Sequence, residues 1–313
     1  MTDTLTKPAP QVERDRWGRP LVTPPGGGKK VPYRRCTTFI DVLDDRYALE
    51  LWKQRQVAHG LAMRPDLVLK AASAAGDKKV LNEVVRDASE AAGSSQAATT
   101  GTALHAITEQ LDRDEDPLIP PSAQADVDAY KRETEHLTMS MIEVFVVNDA
   151  LKVGGTFDRV VELPDGSRVV ADIKTGSIDY SASKIAMQLA IYSRSQQYNP
   201  GTARRSDLGV DLHRGLVIHL PAGAGECTLH WADLDAGWDG VNVAAQVWAW
   251  RDRRNLLEAA APGPDLFGLI AIAGDVESLR QLYTSYEQQW TDLHTAAAKR
   301  RIAELQAPSP TPA

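Results

Sequence analysis

Two neighbouring β-rich stretches contain three residues whose types could hold a cation and promote hydrolysis. The segment GGTFDRVVELPDGSRVVADIKTG (154–176) contains Asp158, Asp172 and Lys174. Its central LPDGS, with an Asp-Gly pair, is typical of a hairpin turn, so the two stretches are predicted to pair as antiparallel strands. If the turn is centred on Asp165, Asp158 lies directly opposite Asp172.

The predicted register would bring two carboxylates close enough to share one cation. Directly opposed Cβ atoms are about 4.5–5.5 Å apart. Carboxylates at that distance repel one another unless a divalent cation binds both. Lys174 follows Asp172 by two residues and therefore points to the same face of its strand. The alternative is an exposed hairpin edge on which Asp172 and Lys174 form a surface ion pair.

Further polar residues lie on predicted helices before and after the hairpin. One helix is predicted over GTALHAITEQLDR (101–113), which contains His105. Another is predicted over about 181–197, where Gln188 and Tyr192 are four residues apart and share a face. A single helical histidine is usually structural or exposed. The plainest interpretation of the second helix is a buried tyrosine with an amide partner.

Four short motifs follow one another along the chain. They are G-x-x-x-H (Gly101–His105), G-x-x-D (Gly155–Asp158), D-x-K (Asp172–Lys174) and Q-x-x-x-Y (Gln188–Tyr192). This order resembles the RecB-like branch of the PD-(D/E)XK nuclease superfamily, above all phage-encoded exonucleases related to the CRISPR-associated family of that branch. The motifs lie within about 100–195. The likeness extends over about 33–230 and includes YRRCTTFIDVLDDRYALELWKQRQ.

The resemblance implies a fold and an activity. The fold is α/β, with the small mixed β-sheet and flanking helices of a restriction-endonuclease-like core. The activity is metal-dependent hydrolysis of phosphodiester bonds in DNA, by an exonuclease rather than an endonuclease, in phage DNA recombination, repair or replication. The implied partners are DNA with a free end and, by analogy, a recombinase or a single-strand binding protein. The alternative is a non-catalytic DNA-binding or assembly protein that keeps the nuclease fold.

The resemblance also implies a metal site. Asp158, Asp172, His105 and the backbone carbonyl of Ile173 would bind Mg²⁺, for which Mn²⁺ could substitute because one ligand is a nitrogen. Glu143, at the start of a predicted strand, is either an auxiliary ligand or an exposed strand residue, and we expect the latter.

The remaining implied roles concern catalysis and substrate binding. Lys174 would act together with the two acids, by orienting or helping to deprotonate the attacking water and by stabilising the transition state. Gln188 and Tyr192 would contact the nucleic-acid backbone or its end, and the tyrosine could also stack on a base.

Composition limits the other classes of function. Lys and Arg number 35 against 42 Asp and Glu, a net charge of −7, so nucleic-acid binding would rest on a local patch or on bound cations. Cys36 and Cys227 are too few for a disulfide framework or for the four-cysteine iron–sulfur cluster of some family members, so no cluster is expected. A zinc site formed by His219, Cys227 and His230 is a minor alternative. No signal peptide or membrane span is apparent, so we expect a cytoplasmic protein, in the host cytoplasm if phage-encoded.

The order of predicted elements is helices, then a small sheet interrupted by a helix, then helices, which indicates an α/β core with helical additions. The predicted parts of the chain are a disordered arm (1–30), a nuclease domain with an N-terminal helical part (31–232), a C-terminal helical region (233–305) and a tail (306–313). In the N-terminal helical part, four large apolar residues are predicted to face the core: Leu43, Tyr47, Leu51 and Trp52.

Overall fold

The computed structural model describes residues 12–254, 256–257 and 263–307. The chain divides into two compact units, Met1–Asp252 and Arg253–Ala313. In the described ranges no helix is both long enough and apolar enough to cross a membrane. All of the motif residues lie in the larger unit.

The strands of the described residues lie in the larger unit. They are β1 (Leu21–Val22), β2 (Val31–Pro32), β3 (Arg34–Arg35), β4 (Thr138–Asn148), β5 (Val153–Glu162), β6 (Arg168–Lys174), β7 (Gln196–Tyr198), β8 (Arg205–Asp207), β9 (Arg214–His219) and β10 (Thr228–Asp233). The long strands β4, β5 and β6 follow the three β-rich runs of the sequence, where β-branched residues are frequent.

The main sheet is mixed and mostly antiparallel. Its strand order is β10-β9-β6-β5-β4-β7-β8, and β3 pairs with β5 off this path. The β6–β9 and β3–β5 pairs are parallel, and the other pairs are antiparallel. Strands β1 and β2 form a separate two-stranded sheet. The predicted α/β class with a mixed sheet is confirmed.

Helices surround this sheet and form the smaller unit. Those of the larger unit are α1 (Cys36–Ile40), α2 (Tyr47–Met63), α3 (Pro65–Ser73), α4 (Lys78–Ala91), α5 (Gln96–Asp112), α6 (Gln124–Thr134), α7 (Ala182–Ser193) and α8 (Leu234–Arg251). Those of the smaller unit are α9 (Leu266–Ile272), α10 (Val276–Ser285) and α11 (Asp292–Gln306).

Both faces of the central strands are buried. Because strand side chains alternate, Val170 of β6 packs in a cluster with Leu189 of α7 and residues of α1 and α8. Its neighbours Ala171 and Ile173 pack on the other face, in a cluster with Tyr130 of α6. Strand β6 therefore lies between two layers of helices, which explains its nearly continuous apolar sequence.

The predicted hairpin register is confirmed over the paired part of β5 and β6. Arg159 pairs with Ala171 and Glu162 with Arg168, and the intervening pairs keep the same register. Gly166 closes the turn with a φ of 81°, in the region that favours glycine. Asp158 and Asp172 lie one position beyond the last pair, where the two strands separate. The two residues are adjacent, as the predicted register requires, but they do not form a hydrogen-bonded strand pair.

Some predicted boundaries differ from the structure. Helix α5 begins at Gln96, five residues before the predicted start at 101, and the hydroxyls of Thr99 and Thr100 donate to the carbonyls of Ser95 and Gln96. The predicted helix over 181–197 ends at Ser193, and the following residues form β7. Short strands such as β7 and β8 give only three residues of pattern, too few to be recognised in a sequence.

The domain limits also shift. Of the predicted disordered arm, 12–30 is folded: Val22 is fully buried, and β1 pairs with β2. The first eleven residues lie outside the described residues. Helix α8 belongs to the larger unit, which extends to Asp252, twenty residues beyond the predicted limit at 232, because Val241 and Ala244 of α8 pack in the core with α7. Residues 308–313 of the predicted tail, together with 255 and 258–262 of the predicted C-terminal helical region, also lie outside the described residues.

The predicted apolar core face between residues 43 and 52 is wrong. Leu43, Tyr47, Leu51 and Trp52 are between 37% and 76% exposed. Helix α2 packs instead through its C-terminal half, where a Cβ at Gly60 would lie 1.8 Å from the carbonyl oxygen of Ala88. The closest approach of α2 to α4 is therefore a backbone contact that only glycine permits, and the first turns of α2 are left exposed.

The smaller unit has its own small core. Ile270, Ala273 and Leu279 are buried there, with Trp290 and Ile302 packed against them. Helix α11 begins at a capping box, in which Thr291 and His294 exchange hydrogen bonds.

Candidate active site

The two acids of the hairpin meet at the point where β5 and β6 separate. Beyond Ala171, β6 pairs with β9, from Asp172 opposite Val217 to Lys174 opposite His219. The amide of Ile173 faces the other way, and it donates a hydrogen bond of 2.8 Å to Oδ2 of Asp158. The carboxylate of Asp158 thus takes the place of a strand partner and is fixed next to Asp172.

Helix α7 supplies a side chain that connects Asp172 to Lys174. The Gln188 amide nitrogen donates to Oδ1 of Asp172 at 3.1 Å, and its amide oxygen accepts from Nζ of Lys174 at 3.3 Å. Lys174 Nζ also lies 2.6 Å from Oδ2 of Asp172, as an ion pair outside hydrogen-bonding geometry. The Asp172 side chain is 3% exposed and that of Lys174 is 28% exposed, so the lysine lies between the buried acid and the solvent.

His105 closes the site from α5. Its Nδ1 lies 3.6 Å from Oδ2 of Asp158, and its ring lies next to the backbone of Ile173. Burial lowers the pKa of the imidazole, which therefore stays neutral near pH 7 and keeps a nitrogen lone pair for a metal. The helix can approach β6 this closely because a Cβ at Gly101 would lie 2.5 Å from the hydroxyl of Thr175.

The electrostatic balance of the site favours added positive charge. Burial, together with repulsion from Asp158, raises the pKa of Asp172 to about 6. Burial also raises the pKa of Asp158. Among the described residues, Lys174 is the one cation whose side chain is paired with either carboxylate, and its partner is Asp172. Two buried carboxylates facing one ammonium leave a negative charge that a further cation would neutralise.

Tyr192 lies behind the site and does not line it. Its side chain is 3% exposed, and its ring packs edge-on against Phe157. Its hydroxyl lies next to the Gln188 side chain, and a Cβ at Gly155 would lie 2.8 Å from that hydroxyl. The predicted stacking of Tyr192 on a base is therefore inconsistent with its burial. The plainer interpretation, a buried tyrosine with an amide partner, describes it.

Only some features of the site match those of a divalent-cation site. Within the described part of the chain, no three His, Cys, Asp or Glu side chains are grouped so as to hold a metal ion as they stand. The site nevertheless offers two carboxylates, a neutral imidazole and the Ile173 carbonyl. Its buried Oδ2 of Asp172 has no hydrogen-bond donor. Hard oxygen donors with excess negative charge fit a cation such as Mg²⁺.

Comparison with known proteins identifies the family. The sequence profile of the PD-(D/E)XK nuclease superfamily matches residues 70–308, about three quarters of the chain. The chain belongs to this superfamily. Membership implies a nuclease acting on DNA, and members typically use divalent metals such as Mg²⁺. No curated protein matches the chain.

Glu143 is, as expected, an exposed residue of a strand, and it lies within β4. Its side chain is 33% exposed, and no pattern in the sequence showed that it lies beside the site. Its neighbours Ile142 and Val144 pair with Arg159 and Phe157, which places Glu143 opposite Asp158. Burial raises the pKa of Glu143 to about 7, and Asp158 and Glu109 add to the rise. Its φ of 52° has no sequence signal in a β-rich run.

A second missed feature is a buried ion pair behind the site. Arg159 is 1% exposed, and its Nε donates to Asp112 of α5 at 2.6 Å. Tyr130 of α6 donates to the same carboxylate at 2.7 Å, and Nη1 of Arg159 donates to the carbonyl of Asp158 at 2.7 Å. The network connects α5 and α6 to the strand that carries Asp158. An arginine in a β-rich run is the available signal, but its partner could not be inferred.

The alternative zinc site does not form. His219 and His230 have ring centroids 6.0 Å apart on the sheet face that carries Val217. Cys227 packs with Ile218 on the opposite face. The three residues therefore do not converge.

Proposed function

We propose that this nuclease is a metal-dependent DNA exonuclease of the RecB-like branch, and that Asp158, Asp172 and Lys174 are its catalytic residues. The observation that carries the proposal is the convergence of His105, both acids and Lys174 around the point where β5 and β6 separate. A surface ion pair does not account for this arrangement, because Asp172 is buried and lies beside a second carboxylate.

The metal ligands in this proposal are Asp158, Asp172, His105 and the backbone carbonyl of Ile173. A divalent cation bound there would act as a Lewis acid on the scissile phosphate. The protein holds the carboxylate ligands in position before the cation binds. The Ile173 amide orients the Asp158 carboxylate, and Gln188 orients that of Asp172. Fixed carboxylates do not have to be reorganised when the cation binds, so little binding energy is lost.

Lys174 would place its charge where negative charge builds on the phosphate. Gln188 restrains the ammonium, whose side chain remains partly exposed toward the substrate side. A preorganised donor of this kind stabilises the transition state more than the ground state. Gln188 thereby gains a positioning role in addition to the substrate contact inferred from the resemblance, and Tyr192 would act through Gln188.

The exonuclease assignment, a role in phage DNA recombination, repair or replication, a cytoplasmic location, and a recombinase or single-strand binding protein as partner rest on the family resemblance. The mode of attack can be tested with two substrates of equal sequence, one linear and end-labelled and one closed circular. We expect the linear DNA to be degraded from an end with Mg²⁺ or Mn²⁺, the circular DNA to persist, and EDTA to abolish degradation.

Lys174→Ala is the diagnostic variant, and Lys131→Ala, an exposed lysine of α6, is its matched control. The control should degrade DNA as the wild type does. Wild-type protein that binds DNA but cuts neither DNA nor RNA with either metal would support the alternative of a non-catalytic binding protein. Cutting of the circular DNA at the same rate as the linear DNA would exclude an exonuclease.

A further inference from the structure

An exposed aromatic residue lies on the loop that follows Lys174. The side chain of Tyr180 is 101% exposed, the highest value among the large hydrophobic residues of the described part of the chain. Within those residues its ring stacks on no other ring or cation, and its hydroxyl has no hydrogen-bond partner. Burial, packing or a structural hydrogen bond therefore does not explain its place in the fold.

The loop that carries Tyr180 is held in place on both sides. The carbonyl of Thr175 accepts from the Ala222 amide at 3.0 Å, and that of Gly176 accepts from His219 Nε2 at 3.0 Å. Farther along, Ile178 packs against the core, and its carbonyl accepts from the Ser181 amide at 3.1 Å. Because the backbone is anchored before and after Tyr180, ordering this loop on binding would cost little entropy.

Tyr180 is also close to the proposed catalytic lysine. It lies six positions after Lys174 in the chain, so their Cα atoms are at most about 22 Å apart. Stacked nucleotides are spaced by about 3.4 Å along a strand. A nucleotide over Tyr180 would therefore lie within about six positions of the phosphate at Lys174.

A groove beside His105 has no acidic lining that would repel a nucleic-acid strand. This open groove of about 560 Å³ is lined by Thr100, Thr102, His105, Thr175 and Gly176, among others, and no acidic side chain lines it. A volume of this size is in the range of pockets that take small organic ligands. His105 belongs both to this groove and to the site, and Thr175 and Gly176 precede Tyr180 on its loop.

From these observations we infer that Tyr180 stacks on a base of the substrate strand near the scissile phosphate. The inference rests on the proposed nuclease function of the adjoining site. Every base has a π face, so such a contact strengthens binding without selecting a sequence. It requires an unpaired base, so it favours single-stranded DNA or the frayed end of a duplex.

The test compares Tyr180→Ala with Tyr180→Phe, and with Leu118→Ala as a control that removes another exposed apolar side chain. Leu118 is 94% exposed and follows the C-terminal end of α5, whereas the groove lies at the other end of that helix. Binding to a short single-stranded oligonucleotide is measured with EDTA present, to prevent cleavage. Thermal unfolding of each variant checks that the fold is unchanged.

We expect Tyr180→Ala to weaken binding roughly 5- to 100-fold, the range for one stacked base. Tyr180→Phe and Leu118→Ala should bind as the wild type does. Oligonucleotides with one abasic position provide a second measurement. At one position the missing base should weaken binding by the wild type and not by Tyr180→Ala.

Wild-type affinity in Tyr180→Ala, or an abasic effect that is the same in both proteins, overturns the stacking role. Cleavage with Mg²⁺ separates this outcome from failure of the proposed function. A wild type that cleaves, beside a Tyr180→Ala variant with unchanged binding, rejects only the stacking inference. A wild type that binds through Tyr180 without cleaving any DNA rejects only the nuclease proposal. A wild type that does not bind the oligonucleotide overturns the stacking inference, and degradation of linear DNA with Mg²⁺ then decides the nuclease proposal separately.

Discussion

Two buried charge clusters lie beside β5, and they differ in how their charges are balanced. Arg159 pairs closely with Asp112, which also accepts a hydrogen bond from Tyr130, and Glu143 lies farther from the arginine, at 3.7 Å. Asp158 and Asp172 share one lysine. The balanced pair fastens helices to the sheet. The unbalanced cluster keeps a negative charge that reduces stability, and such a cost indicates a function other than holding the fold together.

Of the two clusters, the Arg159–Asp112 pair should cause the larger loss of stability when it is broken. Arg159→Met leaves the Asp112 carboxylate buried without its cation, and we expect the free energy of unfolding to fall by about 3–5 kcal/mol. Urea denaturation measures the loss. The double variant Arg159→Met/Asp112→Leu removes both charges and should recover most of the stability. A double variant as unstable as the single one would show that the charge pair is not the cause.

In the unbalanced cluster, removal of the lysine should affect the reaction rather than the fold. For Lys174→Ala we expect the cleavage rate to fall about 10²–10³-fold, the typical cost of losing one preorganised transition-state donor. DNA affinity should change little. Single-turnover cleavage, with a filter-binding measurement beside it, separates the two. Wild-type cleavage by Lys174→Ala would place the reaction elsewhere.

The excess negative charge should be visible as a pH-dependent stability in the metal-free protein. The pKa of Asp172 is raised to about 6 from 3.8, so its ionisation disfavours the folded state. The cost is absent below about pH 4, grows as pH rises through 6 and is constant above about pH 7, reaching at most about 3 kcal/mol.

With EDTA present, Asp172→Asn should therefore raise the melting temperature at pH 7.5 and not at pH 4. The exposed Asp239→Asn on α8 is the control and should change it at neither pH. Equal melting temperatures of Asp172→Asn and wild type at pH 7.5 would contradict the picture of an unbalanced cluster.

Of these changes, removal of the Tyr192 hydroxyl, which lies behind the site, is expected to have the smallest effect. Tyr192→Phe keeps the ring packing against Phe157 and removes the hydroxyl that lies next to Gln188. We expect cleavage to slow roughly 2- to 12-fold, the value of one ordinary hydrogen bond, and DNA affinity to stay unchanged. A loss of affinity with an unchanged rate would instead indicate that Tyr192 contacts the nucleic acid directly.

The unbalanced cluster was more predictable from the sequence than the balanced one. Asp158, Asp172 and Lys174 are connected by a hairpin, whose register follows from a short turn and a period of two. The positions of His105 and Gln188 at the site could be predicted because each belongs to a motif with a recognisable spacing. The partners Arg159 and Asp112 are 47 residues apart on different elements, and no local pattern specifies such a contact.

Burial was the other quantity that the sequence left undetermined. Helical spacing placed Gln188 and Tyr192 on one face, but it could not show that the tyrosine is enclosed while the amide reaches the site. Similarly, the apolar residues near the start of α2 suggested a core face, and the close approach at Gly60 instead selects the other half of the helix. In both cases tertiary packing decides whether the side chain is buried. Periodicity shows which face of a helix a residue lies on, but not how deeply that face is buried.

The way in which the Ile173 amide is satisfied has a consequence for local motion. The amides of regular strands are released for exchange with solvent when strands part. This amide is covered by the Asp158 carboxylate and not by a neighbouring strand. Its deuterium uptake should therefore follow rotation of a single side chain, and be faster than that of Val170, whose strand pairing is regular. One amide proton thus records how often the Asp158 carboxylate leaves its place.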